Sequence, residues 1–120
     1  MTVRAIRGAI QVEENTAQEI HAGVKELLSS ILAANILTPE EVISVILTST
    51  PDLVADFPAV GARGMGFESV PLLCATEINV PGALPRGIRV MLHCNTELAA
   101  TEVTHIYLKG AAALRRDLAQ

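Results

Sequence analysis

One flaw in a regular strand pattern constrains this chain more than any other feature. Residues 86–94, R-G-I-R-V-M-L-H-C, alternate so that Ile88, Val90, Leu92 and Cys94 share one face. Gly87, Arg89, Met91 and His93 share the other. Arg89 therefore sits mid-strand, between a residue with no side chain and a flexible thioether. A guanidinium there must find an anion or lose free energy on burial. The apolar run 70–74 reads as a buried strand ending at Ala75, Thr76 and Glu77. A loop punctuated by Pro81, Gly82 and Pro85 joins the two strands. Glu77 is the nearest carboxylate in sequence, so an internal Arg–Glu pair and an anion from outside the chain both stay open.

The flanking segments supply the rest of a mixed α/β (α+β) layout, a sheet with covering helices. Residues 3–12 alternate, with Arg4, Ile6, Gly8, Ile10 and Val12 on one face. Arg7 lies on the other face among alanines, where small neighbours leave room for a ligand; an edge-strand arginine in water is the alternative. Thr16 and Glu19 fit a capping box, and Ile20, Val24, Leu27, Leu28, Ile31 and Leu32 then recur at helical spacing up to Asn35. His21 reads as a surface or boundary residue. Thr38 and Pro39 start a short helical turn that leads into a β-branched run, 42–48, whose later part reads as a central strand. Residues 60–65 predict a short helix carrying Arg63, in a segment loosened by Gly64 and Gly66. Residues 95–97 read as loop, 98–103 as weak helix or turn, and 104–108 as a last strand containing Tyr107. Residues 111–118 close the chain with Arg115 and Arg116.

A length of 120 residues is that of one domain, 1–120. Half the residues are apolar and the mean hydropathy is +0.40. No uncharged apolar run approaches the ~18 residues of a membrane span, and the N-terminus has a strand pattern rather than that of a signal peptide. The surplus apolar surface points to a homo-oligomer. Net charge is −4 and aromatics are scarce, which argues against nucleic acid. Seven of the nine cations are arginine, a bias suited to bidentate recognition of carboxylate or phosphate. Cys74 and Cys94 are expected to be reduced and the compartment cytoplasmic.

His21, His93, His105, Cys74 and Cys94 lack metal-ligand spacing, so no metal and no cofactor is expected. No base is indicated beside Cys74, and no glycine-rich phosphate loop is present. What remains is a set of arginines on strands, one carboxylate and one tyrosine. Such a set recognises a small polycarboxylate and stabilises charge without a proton shuttle or covalent step.

V-R-A-I-R-G-A at 3–9, T-P-D-L-V-A-D-F-P-A at 50–59, V-P-L-L-C-A-T-E at 70–77, I-R-V at 88–90 and H-I-Y-L at 105–108 occur in this order. Together they resemble the AroH class of monofunctional chorismate mutases, in register over nearly the whole chain. The resemblance implies a homotrimer whose sheets form a pseudo-barrel, with sites at subunit interfaces. It also implies the cofactor-free Claisen rearrangement of chorismate to prephenate, in aromatic amino-acid biosynthesis. By the same resemblance, Arg7 and Tyr107 would hold the substrate side-chain carboxylate, and Arg89 would face the ether oxygen. Glu77 and the backbone around Cys74, with Ala75 and Thr76, would bind the ring hydroxyl. Phe57, Ala59 and Arg63 would come from the neighbouring subunit, Leu72 and Leu73 would form walls, and Leu114 and Arg115 would help close the site. The chain departs from the family pattern at Val60, where a basic residue can occur, and at Arg116, where a proline is expected. A trimeric YjgF-type protein that binds small carboxylates or hydrolyses imines is the alternative. It would use Arg89 and Glu77 but gives no reason for Arg7, Cys74 and Tyr107 to recur together.

Overall fold

The computed structural model describes residues 1–114. Chain order runs β1 (Thr2–Gln11), α1 (Ala17–Ala34), a 3-10 turn (Pro39–Glu41), β2 (Val42–Ser49), α2 (Pro58–Arg63) and β3 (Leu72–Thr76). It continues through β4 (Gly87–Thr96), β5 (Ile106–Leu108) and a second 3-10 turn (Lys109–Ala113). The five strands make one sheet in the order β3-β2-β4-β1-β5. β4 pairs antiparallel with both β1 and β2, whereas the outer pairs β2–β3 and β1–β5 are parallel. The strand with the arginine flaw is thus the middle of the sheet, and β2 is interior beside it.

Among the described residues, α1 and α2 cover one face of the sheet, while on the other face the second 3-10 turn packs Ala111 on Ala9 and Tyr107. Ile20, Val24, Leu27, Leu28 and Ile31 of α1 are buried, and they join Ile6, Ile10, Val45, Leu47, Ile88, Val90 and Leu92 in the core. Gly8 allows the close approach, since a Cβ there would meet Ile31 Cδ1 at 2.7 Å. Thr16 caps α1 by accepting from the Glu19 amide at 3.1 Å. Glu19 itself accepts from the Glu13 amide, so the expected capping box is half formed. Asn35 ends the helix and is buried, its amide nitrogen donating to Ile31 O and Thr104 O. α2 packs on α1 through Gly61, where a Cβ would lie 3.0 Å from His21 O.

Several segments differ from their sequence reading. The run 70–74, expected to be a buried strand, becomes an edge strand from Leu72 to Thr76, with Leu73 64% exposed. An apolar strand is a sign of burial, and it cannot say whether the covering surface belongs to the same chain. Asn95 and Thr96, expected in a loop, extend β4 because Val3 and Thr2 of β1 remain available to pair with them. Arg86 precedes β4 instead of opening it, at φ 51°, a left-handed conformation. The last strand is shorter than 104–108, yet His105 extends its hold on β1 by accepting at Nδ1 from the Arg7 amide at 2.9 Å. The tail reading falls partly outside the described residues, Arg115 and Arg116 included.

The entry into β4 is pinned by residues of the T-P-D-L motif. The Thr50 hydroxyl donates to Asp52 Oδ1 and accepts from the Gly87 amide at 3.0 Å. The Arg86 amide donates to Asp52 Oδ2 at 2.9 Å, and Arg86 Nε donates to Val12 O at 3.0 Å. Burial pushes the Asp52 carboxyl up, but the bonds from Thr50 and Arg86 outweigh it and hold the acid below its ordinary value. A depressed carboxylate stabilises the fold above its unfolded pKa, and that contribution is lost as pH falls through the folded value. Asp52→Ala is therefore expected to destabilise the protein modestly at neutral pH, by up to ~1 kcal/mol, because Asp52 is exposed and solvent screens its charge. In urea melts at fixed protein concentration, the difference from wild type should shrink once pH drops below 3.8. An undiminished difference in acid would show that the carboxylate charge is not involved.

Candidate active site

The sheet face opposite α1 and α2 is organised in cross-strand rows, because residues paired in register point the same way. One row runs Ala75, Thr48, Arg89, Ala9, Tyr107 across all five strands. The next runs Leu73, Ile46, Met91, Arg7. Arg7 and Arg89 are thus diagonal neighbours on adjacent strands, with Ala9 between Arg89 and Tyr107. Ala9 is itself buried against Tyr107 and Ala111, and Arg7, Arg89 and Tyr107 converge beside it. A cleft of about 280 Å³ lies there, lined by Arg7, Ile46, Thr48, Arg89, Met91 and Tyr107 among others.

A larger cleft, about 860 Å³, adjoins it and shares Thr48 and Arg89. Its other walls are Thr50, Asp52, Thr76, Glu77 and the loop 78–85. Glu77 follows β3 directly, and its amide donates to Ser49 O at 2.9 Å, extending the parallel ladder by one bond. Arg89 Nε lies 3.3 Å from Glu77 Oε2, so the expected Arg–Glu pair is present. The pair does not consume the arginine. The Arg89 side chain is 52% exposed against 14% for Glu77, and a guanidinium has five N–H donors. The internal pair of the strand flaw is therefore present, and the rest of the fork is turned to the clefts.

The remaining candidates fall into three groups. Phe57, Cys74, Ala75 and Thr76 line a separate depression of about 430 Å³. Ala59 is buried and Arg63 exposed on α2, and neither lines a cleft that contains Arg89. Leu72 packs at the edge of the main core, Leu73 lies on the open face, and Leu114 packs on the small cluster of Ala9, Tyr107 and Ala111. Arg115 lies outside the described residues. The chain thus brings Arg7, Glu77, Arg89 and Tyr107 together and holds Ala59 and Arg63 apart from them, while Phe57 lines only the depression that shares Thr76 with the larger cleft.

Two features escaped sequence reading. Thr48 stands between both clefts, hidden in a run where nearly every residue is apolar or β-branched. His21 Nε2 lies 2.7 Å from Asp56 Oδ2, while Asp56 Oδ1 accepts from the Phe57 amide at 2.7 Å. These bonds, that of Phe57 first, lower the Asp56 carboxyl from its ordinary value. The loop presenting Phe57, which is 70% exposed, is tied to α1 in this way. No local pattern signals a partner 35 residues away. Among the described residues, no group of three or more His, Cys, Asp or Glu side chains is placed to hold a metal ion, and no helix is long and apolar enough to cross a membrane.

A sheet face bearing two arginines, a carboxylate and a tyrosine has the chemistry to recognise a small anion that also carries a hydroxyl. Residues 3–118 match the family model described as chorismate mutase type I. The chain is 51% identical over 117 residues to chorismate mutase AroH of Thermus thermophilus, covering 97% of this chain and 96% of the relative. It is 41% identical over 119 residues to chorismate mutase AroH of Bacillus subtilis, covering 98% and 94%. A solved chorismate mutase from Clostridium thermocellum superposes with TM-score 0.89 at 48% identity, over 91% of this chain and 97% of that one. The chain belongs to the chorismate mutase type I family.

Proposed function

We propose that this chain is a chorismate mutase, an isomerase that converts chorismate to prephenate in the shikimate route to aromatic amino acids. The observation that carries the reading is the convergence of Arg7, Glu77, Arg89 and Tyr107 on two adjoining clefts of one sheet face. Chorismate offers two carboxylates, a ring hydroxyl and an ether bridge. Arg7 and Tyr107 bind the side-chain carboxylate. Glu77 accepts from the ring hydroxyl, with help from the backbone around Cys74. Arg89 donates to the ether oxygen, where negative charge grows as the C–O bond breaks and the new C–C bond forms. The rearrangement is concerted, so no acid, base or nucleophile takes part. A clamped near-attack conformer and a preorganised donor supply the rate.

The site is completed by a neighbouring subunit. The open face carries Val3, Ile46 and Leu73 as exposed apolar side chains, more than a lone subunit would leave to water. Three copies closing on these faces form a barrel-like trimer of single-domain subunits. Phe57, Ala59 and Arg63 of one subunit then reach the Arg89 cleft of the next, Leu72 and Leu73 act as walls, and Leu114 stands at the mouth. Sedimentation equilibrium is expected to give a trimer at micromolar concentration; a monomer would remove the shared site.

The activity is tested by incubating chelator-treated protein with chorismate, following its ultraviolet absorbance and identifying the product by NMR. Prephenate should appear as chorismate disappears, at a rate unchanged by EDTA. Failure to consume chorismate, or restoration of lost turnover by a divalent metal, would contradict the proposal.

A further inference from the structure

We propose that Thr48 is a positioning residue for Glu77, fixing which carboxylate oxygen meets the ligand; this rests on the reading of Glu77 as a ligand-binding group. Thr48 Oγ1 donates to Glu77 Oε2 at 2.6 Å, a length typical of a hydroxyl bonded to a charged carboxylate. The same Oε2 lies 3.3 Å from Arg89 Nε. Two donors converge on one oxygen, which leaves Oε1 as the acceptor for a ligand hydroxyl.

The arrangement matters because Glu77 is otherwise weakly held. It follows the last residue of β3, at the start of the loop 78–85, and a glutamate side chain has three rotatable bonds to restrain. Thr48 has the opposite character. It lies inside the sheet, paired with Ala75 on one side and Arg89 on the other, and its β-branched side chain is stiff. A rigid hydroxyl on an interior strand thereby orients a flexible carboxylate on an edge. Thr48 also lines both clefts, so the bond sits where they meet. Arg89 is less suited to this, because its own side chain is half exposed.

The test compares Thr48→Val, Thr48→Ser and Glu77→Ala with the Thr48→Val/Glu77→Ala double variant, all in the chorismate assay. Thr48→Val keeps shape and strand propensity while deleting the donor. Its kcat/KM is expected to fall about tenfold or more, the usual effect of losing a hydrogen bond to a charged group. Thr48→Ser, which restores the hydroxyl, should recover most of that loss, and the double variant should be no worse than Glu77→Ala. Thr48→Ala deletes the same donor and replaces the valine variant if that one does not fold. Near-normal kcat/KM in the hydroxyl-free variant, an equal loss in Thr48→Ser, or losses that multiply in the double variant would each overturn the proposal. Glu77→Ala on its own separates the two levels: if it is fully active, the reading of Glu77 fails, whereas a damaged Glu77→Ala beside a normal Thr48→Val sinks only the role of Thr48.

Discussion

Arg89→Lys is expected to lower kcat by about 10²–10³, with a much smaller change in KM. The substitution keeps the formal charge, so it separates two roles that the geometry combines. Arg89 Nε faces Glu77 Oε2 at 3.3 Å, while the half-exposed remainder of the fork is turned to the clefts. A lysine ammonium is a single point charge on a flexible stem. It can pair with Glu77 or reach the breaking ether bond, but it cannot hold both positions at fixed geometry. The loss of such a preorganised donor corresponds to ~2.7–4 kcal/mol of transition-state stabilisation. Arg86→Lys is a poor control, because Arg86 Nε donates to Val12 O and helps to anchor the start of β4. Arg4→Lys serves better: Arg4 Nε donates to Leu98 O, away from the clefts, and its kcat should stay near that of wild type. An Arg89→Lys protein that is folded and trimeric yet retains most of its kcat would reduce Arg89 to a partner of Glu77.

The second large effect is a recovery. Arg63→Ala and Arg89→Ala should each be strongly impaired alone, and mixing them with subunit exchange should restore activity. Neither cleft that contains Arg89 is lined by α2, which carries Arg63 on the helical side of the same chain. If the two arginines meet only across an interface, one variant supplies an intact Arg89 and the other an intact Arg63. In randomly mixed trimers about one quarter of the clefts then hold both. Recovery toward that fraction is the expected result, checked on equal mixtures whose exchange is confirmed by mass spectrometry. Mixed trimers as inactive as the parents would place both residues in one subunit's half of the site, or Arg63 outside it.

The parts of the fold legible in the sequence were those with a local period. β1, α1 and β4 show theirs because each has one buried face, and the Arg89 flaw stood out only against that regular background. The short turn at Thr38 was legible through its proline, whereas the helix with Arg63, expected over 60–65, starts earlier, at Pro58. β3 was misread as buried because it lies at the sheet edge, where Leu73 faces outward with no cover from the described residues. Pairing between distant segments was the least legible part. The extension of β4 through Thr96 depends on β1, and the link from Thr48 to Glu77 crosses strands 29 residues apart. The His21–Asp56 bond likewise joins a helix to a loop with no common pattern. The motif resemblance brought Arg7, Glu77, Arg89 and Tyr107 forward as a set, and the register of the sheet gives a physical reason for the meeting of Arg7, Arg89 and Tyr107: strand pairing puts them in adjacent cross-strand rows of one face.

The most direct measurement is the affinity of a non-reacting bicyclic ether dicarboxylate that copies the rearranging skeleton, taken by calorimetry on wild type and on Arg89→Lys. If Arg89 stabilises charge that develops only in the transition state, wild type should bind the mimic more tightly than it binds chorismate. Arg89→Lys should then lose most of the affinity for the mimic while its KM for chorismate changes little. Equal losses for mimic and substrate would contradict this, since Arg89 would then hold the ground state as firmly as the transition state and could not be the source of the rate.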